Sequence, residues 1–236
     1  LDPDHDRPHH LRQAEMTGAI LVGGGMGRRL GSAVPKAFVR LGGRTLARRC
    51  LERFSASPEV AEIVLVVPAA RAAACRRLLR EYPKLRAVVA GGALRQDSVR
   101  CGLAALDRRC RIVLVHDAAR PCASRDLIRR VAAAARRYGA AVPALPARET
   151  MKTAAGPWVG ETIDRCRIVA VQTPQGCRRD WLEAARARAR AEGFEGSDDA
   201  VLPAALRRLG EASNITITWP ADVAAARACL RAAGER

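Results

Sequence analysis

The chain has 236 residues and a formal net charge of +17, from 41 lysines and arginines against 24 aspartates and glutamates. That length suits one α/β domain with a full core, and no segment nears the roughly 18 apolar residues a membrane span needs, because arginines interrupt every alanine-rich stretch. The charge by itself would suggest nucleic acid, but aromatics make up 3% of the residues and the arginines scatter over helical faces such as "RDWLEAARARARAEG", so they read as a solvated surface and not as a specific nucleic-acid groove.

In chain order, residues 1–15 ("LDPDHDRPHHLRQAE") hold three of the four histidines and no apolar run, and read as a disordered leader before a natural start at Met16. The remainder, 16–236, is expected to form a single domain. Apolar runs at Ala19–Val22, Ile63–Val67, Ala87–Ala90, Ile112–Val115, Ala140–Leu145 and Ile215–Thr218 predict strands. Amphipathic stretches near Leu46–Phe54, Ala69–Tyr82, Arg95–Ala105, Ser124–Tyr138, Arg179–Ala191, Asp198–Leu209 and Pro220–Ala233 predict helices, with Ser124 and Pro220 as start signals. Alternation of this kind gives a Rossmann-like, three-layer α/β fold with a mostly parallel sheet. The segment 146–171 breaks the rhythm with short β-prone pieces around "AAGPW", the pattern of a projecting β-arm. Eight cysteines without a C-x-x-C pair or zinc spacing read as reduced thiols in a cytoplasmic protein.

Ligands of open α/β sheets bind beyond the carboxyl ends of the strands, which makes the residues after each strand the informative ones. After the first strand comes "GGGMGRRLGSAVPK". It fits neither the dinucleotide fingerprint nor the P-loop, for lack of G-x-G-x-x-G and of G-K-[ST]. What remains is a glycine loop, Gly23, Gly24, Gly25 and Gly27, that offers backbone N–H groups to an anion, with Arg28, Arg29 and Lys36 able to neutralise a triphosphate.

After the third strand, "AGGALRQDSVRCGL" brings Gly91 and Gly92 to a turn and places Arg95 and Ser98 on one face at a helix start. The same residues would also serve an ordinary first helical turn. After the fourth strand, "VLVHDAARP" sets Asp117 where a carboxylate can hold a divalent cation against phosphates, with Arg120 three residues on as an anion clamp. His116 reads as a hydrogen-bonded structural residue in preference to a general base.

The ordered set of A-x-x-V-x-x-G-x-G-x-R, P-K, G-G-A-x-R-Q-x-S-V, "HDAARP", "ETMK", "DR", "QTPQ" and "SDD" resembles the 2-C-methyl-D-erythritol 4-phosphate cytidylyltransferase family, from about Thr17 to the last helix. The resemblance implies a nucleotidyltransferase fold and a Mg²⁺-dependent transfer of CMP from CTP to a sugar-alcohol phosphate, in a homodimer whose arms complete each other's sites. It implies that Gly23 to Gly27 wrap the triphosphate, that Arg29 and Lys36 stabilise the reacting phosphates, and that Gly91, Gly92 and Ser98 read the cytosine. Asp117 would hold Mg²⁺ at the acceptor site, and Arg120, Thr150 and Arg165 would hold the acceptor, the last two across the dimer.

Departures from the family pattern keep two alternatives open, a ribitol-5-phosphate cytidylyltransferase and a weakly active homologue with a binding role. The loop begins Val22-Gly23-Gly24-Gly25 where the family has Pro-Ala-Ala-Gly, Thr216 stands where the family has lysine after Asn-Ile, and the segment 199–214 is shorter than usual. "HDAARP" and Met151–Lys152 weigh against the ribitol reading.

Overall fold

The computed structural model of the chain describes residues 15–191 and 210–234. All of the leader but Glu15, and the expected helix Asp198–Leu209, lie outside the described residues. Six strands form the central sheet: β1 (Met16–Val22), β4 (Val60–Val67), β5 (Leu85–Ala90), β6 (Cys110–Asp117), β7 (Ala140–Ala141) and β12 (Gln175–Arg178), in the order β5-β4-β1-β6-β12-β7, with β2 (Arg40–Leu41) and β3 (Arg44–Thr45) paired apart from it. The first four are parallel, whereas β12 runs antiparallel to both β6 and β7.

The parallel strands read as continuous apolar runs because both of their faces are covered. Leu21, Leu65 and Leu114 face one layer, against α1 (Leu46–Ser55), α2 (Ala69–Cys75) and α5 (Arg125–Tyr138). Ile20, Val64 and Val113 face the other, against α4 (Arg95–Ala105) and α6 (Arg179–Ala191). Local chemistry sets the helix ends. Thr45 accepts from the Arg48 amide at the start of α1, Ser124 accepts from the Leu127 amide at 2.9 Å at the start of α5, and α5 stops at Gly139, whose φ is 86°. Among the described residues no helix is long and apolar enough to cross a membrane.

Several expected elements differ. The stretch Ala69–Tyr82 is two helices, α2 and α3 (Leu78–Glu81), and Ala140–Leu145 is two short strands, β7 and β8 (Ala144–Pro146). The run Ile215–Thr218 is not a strand. Its β-branched residues serve packing instead of a ladder: Ile217 is fully buried with Leu41, Leu46 and Leu230 in a small third core, and its amide bonds only to the Ala119 carbonyl. That core seats α7 (Pro220–Ala232) beside the carboxyl ends of the strands.

The arm is present. It leaves through β8, forms a hairpin of β9 (Met151–Ala155) and β10 (Trp158–Ile163), and returns through β11 (Val169–Val171), which pairs with β8. Every residue from 148 to 167 is exposed.

Candidate active site

The loop after β1 is shaped by glycine. Gly23 bonds through its amide to the Val66 carbonyl at 2.7 Å, Gly27 adopts the left-handed conformation with φ 70°, and the Lys36 amide closes the loop on the Gly25 carbonyl at 2.8 Å. Between those anchors the N–H groups of Gly24, Gly25, Met26 and Gly27 have no protein partner among the described residues, as an anion cradle requires. Pro35 then starts a single 3₁₀ turn, Lys36–Phe38, which fixes the lysine. Its Nζ donates to Thr218 Oγ1 at 3.3 Å. Burial and the adjacent Arg29 guanidinium push the Lys36 ammonium below its ordinary value, against the pull of Asp117 and Asp222. Arg29 itself lies over the ring of the exposed Trp219, 5.7 Å from its centroid.

Across the pocket, the Gly91 amide bonds to the Val67 carbonyl and the Ser98 hydroxyl donates to the Leu94 carbonyl at 3.2 Å. A Cβ at Gly91 would lie 2.6 Å from Ser98 Oγ and force that hydroxyl to turn away, and one at Gly92 would lie 2.3 Å from Asp97 Cβ, so the turn closes on the helix only with glycine at 92. Asp117 ends β6, and its Oδ1 accepts from Arg95 through Nε at 3.1 Å and Nη2 at 3.0 Å. Gly23, Gly24, Gly25, Lys36, Gly92, Arg95, Ser98, Asp117 and Thr216 all line one pocket of about 300 Å³. Among the described residues two cations and one carboxylate face into it, a balance suited to an anionic ligand.

His116 takes no part in that wall. It is fully buried, its two ring nitrogens engage the Arg120 carbonyl at 3.0 Å and Thr173 Oγ1 at 3.1 Å, and burial lowers its pKa to about 4. Thr173 Oγ1 also accepts from the Asp117 amide at 3.1 Å, so the histidine fixes the segment that positions Asp117.

A family model described as IspD: 2-C-methyl-D-erythritol 4-phosphate cytidylyltransferase matches residues 17–232. The chain belongs to this cytidylyltransferase family. It is 37% identical over 224 residues to the 2-C-methyl-D-erythritol 4-phosphate cytidylyltransferase of Geobacter metallireducens, covering 90% of this chain and 97% of that one. It is 46% identical over 222 residues to the bifunctional enzyme IspD/IspF of Anaeromyxobacter dehalogenans, covering 90% of this chain and 56% of that longer protein. Among solved structures, the cytidylyltransferase from Thermus thermophilus superimposes with a TM-score of 0.73 at 39% identity, covering 92% of this chain and 100% of that one. The 4-diphosphocytidyl-2C-methyl-D-erythritol synthase from Anaerococcus prevotii gives 0.79 at 28% identity, covering 93% and 100%.

The residues that the cytidylyltransferase resemblance assigns do not all meet in one chain. Gly23, Gly24, Gly25, Lys36, Gly92, Ser98 and Asp117 converge on the pocket, with Gly27, Arg29 and Gly91 in the loops that frame it. Arg120 does not line it. Its Nη1 donates to the Asn214 carbonyl at 2.8 Å and its Nη2 to the Val171 carbonyl at 3.4 Å, which ties the "HDAARP" turn to the base of the arm. Thr150 and Arg165 stand exposed on the arm, outside the pocket. Thr216 does line it and brings a neutral residue to the wall. Thr218 and Trp219, the partners of Lys36 and Arg29, had no local signal in the sequence, because those contacts join residues 182 or more positions apart.

Proposed function

We propose that the chain transfers CMP from CTP to 2-C-methyl-D-erythritol 4-phosphate, giving 4-diphosphocytidyl-2-C-methyl-D-erythritol and pyrophosphate. The observation that carries this reading is the convergence of an amide-rich glycine loop, Lys36 and the strand-end Asp117 on one pocket, with the Gly91–Gly92 and Ser98 turn opposite. An oxygen of the acceptor phosphate attacks the α-phosphorus of CTP, the bond from that phosphorus to the bridging oxygen breaks, and pyrophosphate leaves. The nucleophile is already ionised, so no general base is needed, in keeping with a neutral, fully engaged His116.

Transfer of this kind rests on alignment and charge neutralisation. The free amides of Gly24 to Gly27 bind the phosphate chain, and Lys36 and Arg29 offset the charge that builds on the leaving group. Gly91, Gly92 and Ser98 enclose the base. Among the described residues no group of three or more His, Cys, Asp or Glu side chains gathers at a metal-binding spacing. One strand-end carboxylate with its Oδ2 uncommitted fits Mg²⁺, which takes one or two carboxylates together with substrate phosphates. Asp117 would hold that ion, and bound there it would supply charge neutralisation to the phosphates.

The acceptor phosphate would be held by Arg165 and Thr150 from the arm of a second protomer. The exposed apolar residues of the arm, Trp158 at 77% and Val159 at 73%, support burial against a second copy. All eight cysteines are free thiols, which suits a reducing cytoplasm.

The test is pyrophosphate release from each of the four nucleoside triphosphates, with methylerythritol phosphate, with ribitol 5-phosphate and with neither. Release that needs CTP and the methylerythritol acceptor is the expected result. Release with ribitol 5-phosphate alone, or none with any pair, would replace this reading with one of the alternatives.

A further inference from the structure

A second cavity, of about 580 Å³, lies behind the turn that carries Lys36. It shares no lining residue with the nucleotide pocket. Lys36 and Ala37 face that pocket, whereas Val34 and Phe38, on either side of them, face this one. Its apolar lining comes from Val34, Phe38 and Leu78, half-buried above the core residues Leu65 and Cys75.

Its rim is cationic. Among the described residues five arginines line the cavity and no carboxylate does. Arg44 and Arg48 reach out of it to Glu52 and Glu81. Arg40, Arg71 and Arg77 have no carboxylate partner among the described residues: Arg40 donates to the Gly43 carbonyl, Arg71 lies over the Phe38 ring at 5.5 Å, and the Arg77 guanidinium makes no hydrogen bond to them. Three uncompensated guanidinium groups above a hydrophobic floor call for a ligand with several negative charges at one end and hydrocarbon at the other. A single carboxylate would leave two of the cations unmatched, whereas a diphosphate head carries enough charge for all three.

We infer that this cavity is a binding site for a small amphiphilic anion, a short hydrocarbon chain bearing a diphosphate head, separate from the nucleotide pocket. The inference does not rest on the reaction proposed above, because none of the residues it uses touches the nucleotide pocket.

The experiment is calorimetric titration of the full chain with octyl diphosphate, below its critical micelle concentration, with and without saturating CTP. Inorganic pyrophosphate, octanoate and octyl glucoside serve as head-only, single-charge and tail-only probes. Octyl diphosphate is expected to bind one per chain whether or not CTP is present, and each of the other probes about tenfold or more weakly. The double variant Arg71→Ala/Arg77→Ala should weaken binding by about tenfold or more, and Ala74→Trp, which fills the cavity mouth from the exposed face of α2, should abolish it. Both variants should retain wild-type turnover and melting temperature. Binding that vanishes with CTP present, that matches any of the three control probes, that survives both variants, or that is absent in the wild type overturns the inference.

Discussion

Arg95 grips a single oxygen of Asp117 through two donors, at 3.1 and 3.0 Å, and so joins the helix start after β5 to the carboxyl end of β6 across the pocket floor. The carboxylate is thereby held in place before any ligand arrives, with one oxygen committed to the arginine. Replacing Asp117 with asparagine keeps the shape and removes the charge. Turnover should fall on the order of 100-fold or more and lose its Mg²⁺ dependence, while CTP affinity changes little. Steady-state kinetics across a Mg²⁺ series checks this, and an undiminished kcat would remove Asp117 from the chemistry.

Lys36 and Arg29 differ in how they are held. The lysine is fixed by the 3₁₀ turn and by Thr218, whereas the arginine rests on the exposed face of Trp219. Lys36→Ala should therefore lower kcat by roughly 100-fold with a smaller rise in the KM for CTP, and Arg29→Ala should lower it by roughly tenfold. A change confined to KM would make both residues ground-state binders.

Thr216 places a neutral hydroxyl in the pocket wall. In Thr216→Lys the added ammonium enters the pocket from a segment that pairs with no strand, so the sheet is undisturbed. The KM for methylerythritol phosphate should fall by about tenfold while that for CTP stays constant. An unchanged KM in a parent enzyme that is already efficient would show that another cation serves the acceptor.

His116 links the fold to pH. Burial holds its pKa near 4, below the ordinary 6.5, so protons bind the unfolded chain more readily than the folded one. The stability it contributes is complete above pH 6.5 and is lost as pH falls through that value toward 4, on the order of 3 kcal/mol over the window. Urea denaturation at half-unit steps of pH should show this slope in the wild type and a flatter one in His116→Asn. The same slope in both proteins would assign it to another group.

Much of the site was legible because the parallel strands are buried on both faces, and a run such as Ile112–Val115 announces the point at which Asp117 must emerge. The glycine loop was equally plain, since four glycines within five residues directly after a strand mark a turn whose backbone is open to a ligand. What misled were residues whose chemistry was right and whose partners were nonlocal. Arg120 has the charge for an anion clamp, and nothing in the sequence foretold that its Nη1 and Nη2 would donate to the Asn214 and Val171 carbonyls. Ile215–Thr218 has strand composition, yet Ile217 is needed as a plug between α7 and the sheet. Strand β12, "QGCR", has so little β-propensity that only its position between β6 and β7 makes it a strand.

The neck of the arm is closed by its own ladder, with Pro146 opposite Val169, Leu145 opposite Ala170 and Ala144 opposite Val171. The chain leaves and re-enters the body at adjacent points, so the excursion between them is a cassette. Doubling its length would add only about 0.6 kcal/mol of loop-closure cost. Residues 148–167 contribute nothing to the six-stranded sheet, so this stretch can be lengthened, shortened or exchanged while the catalytic body keeps its register. What the arm reaches is therefore set by residues that the body neither packs nor holds in register.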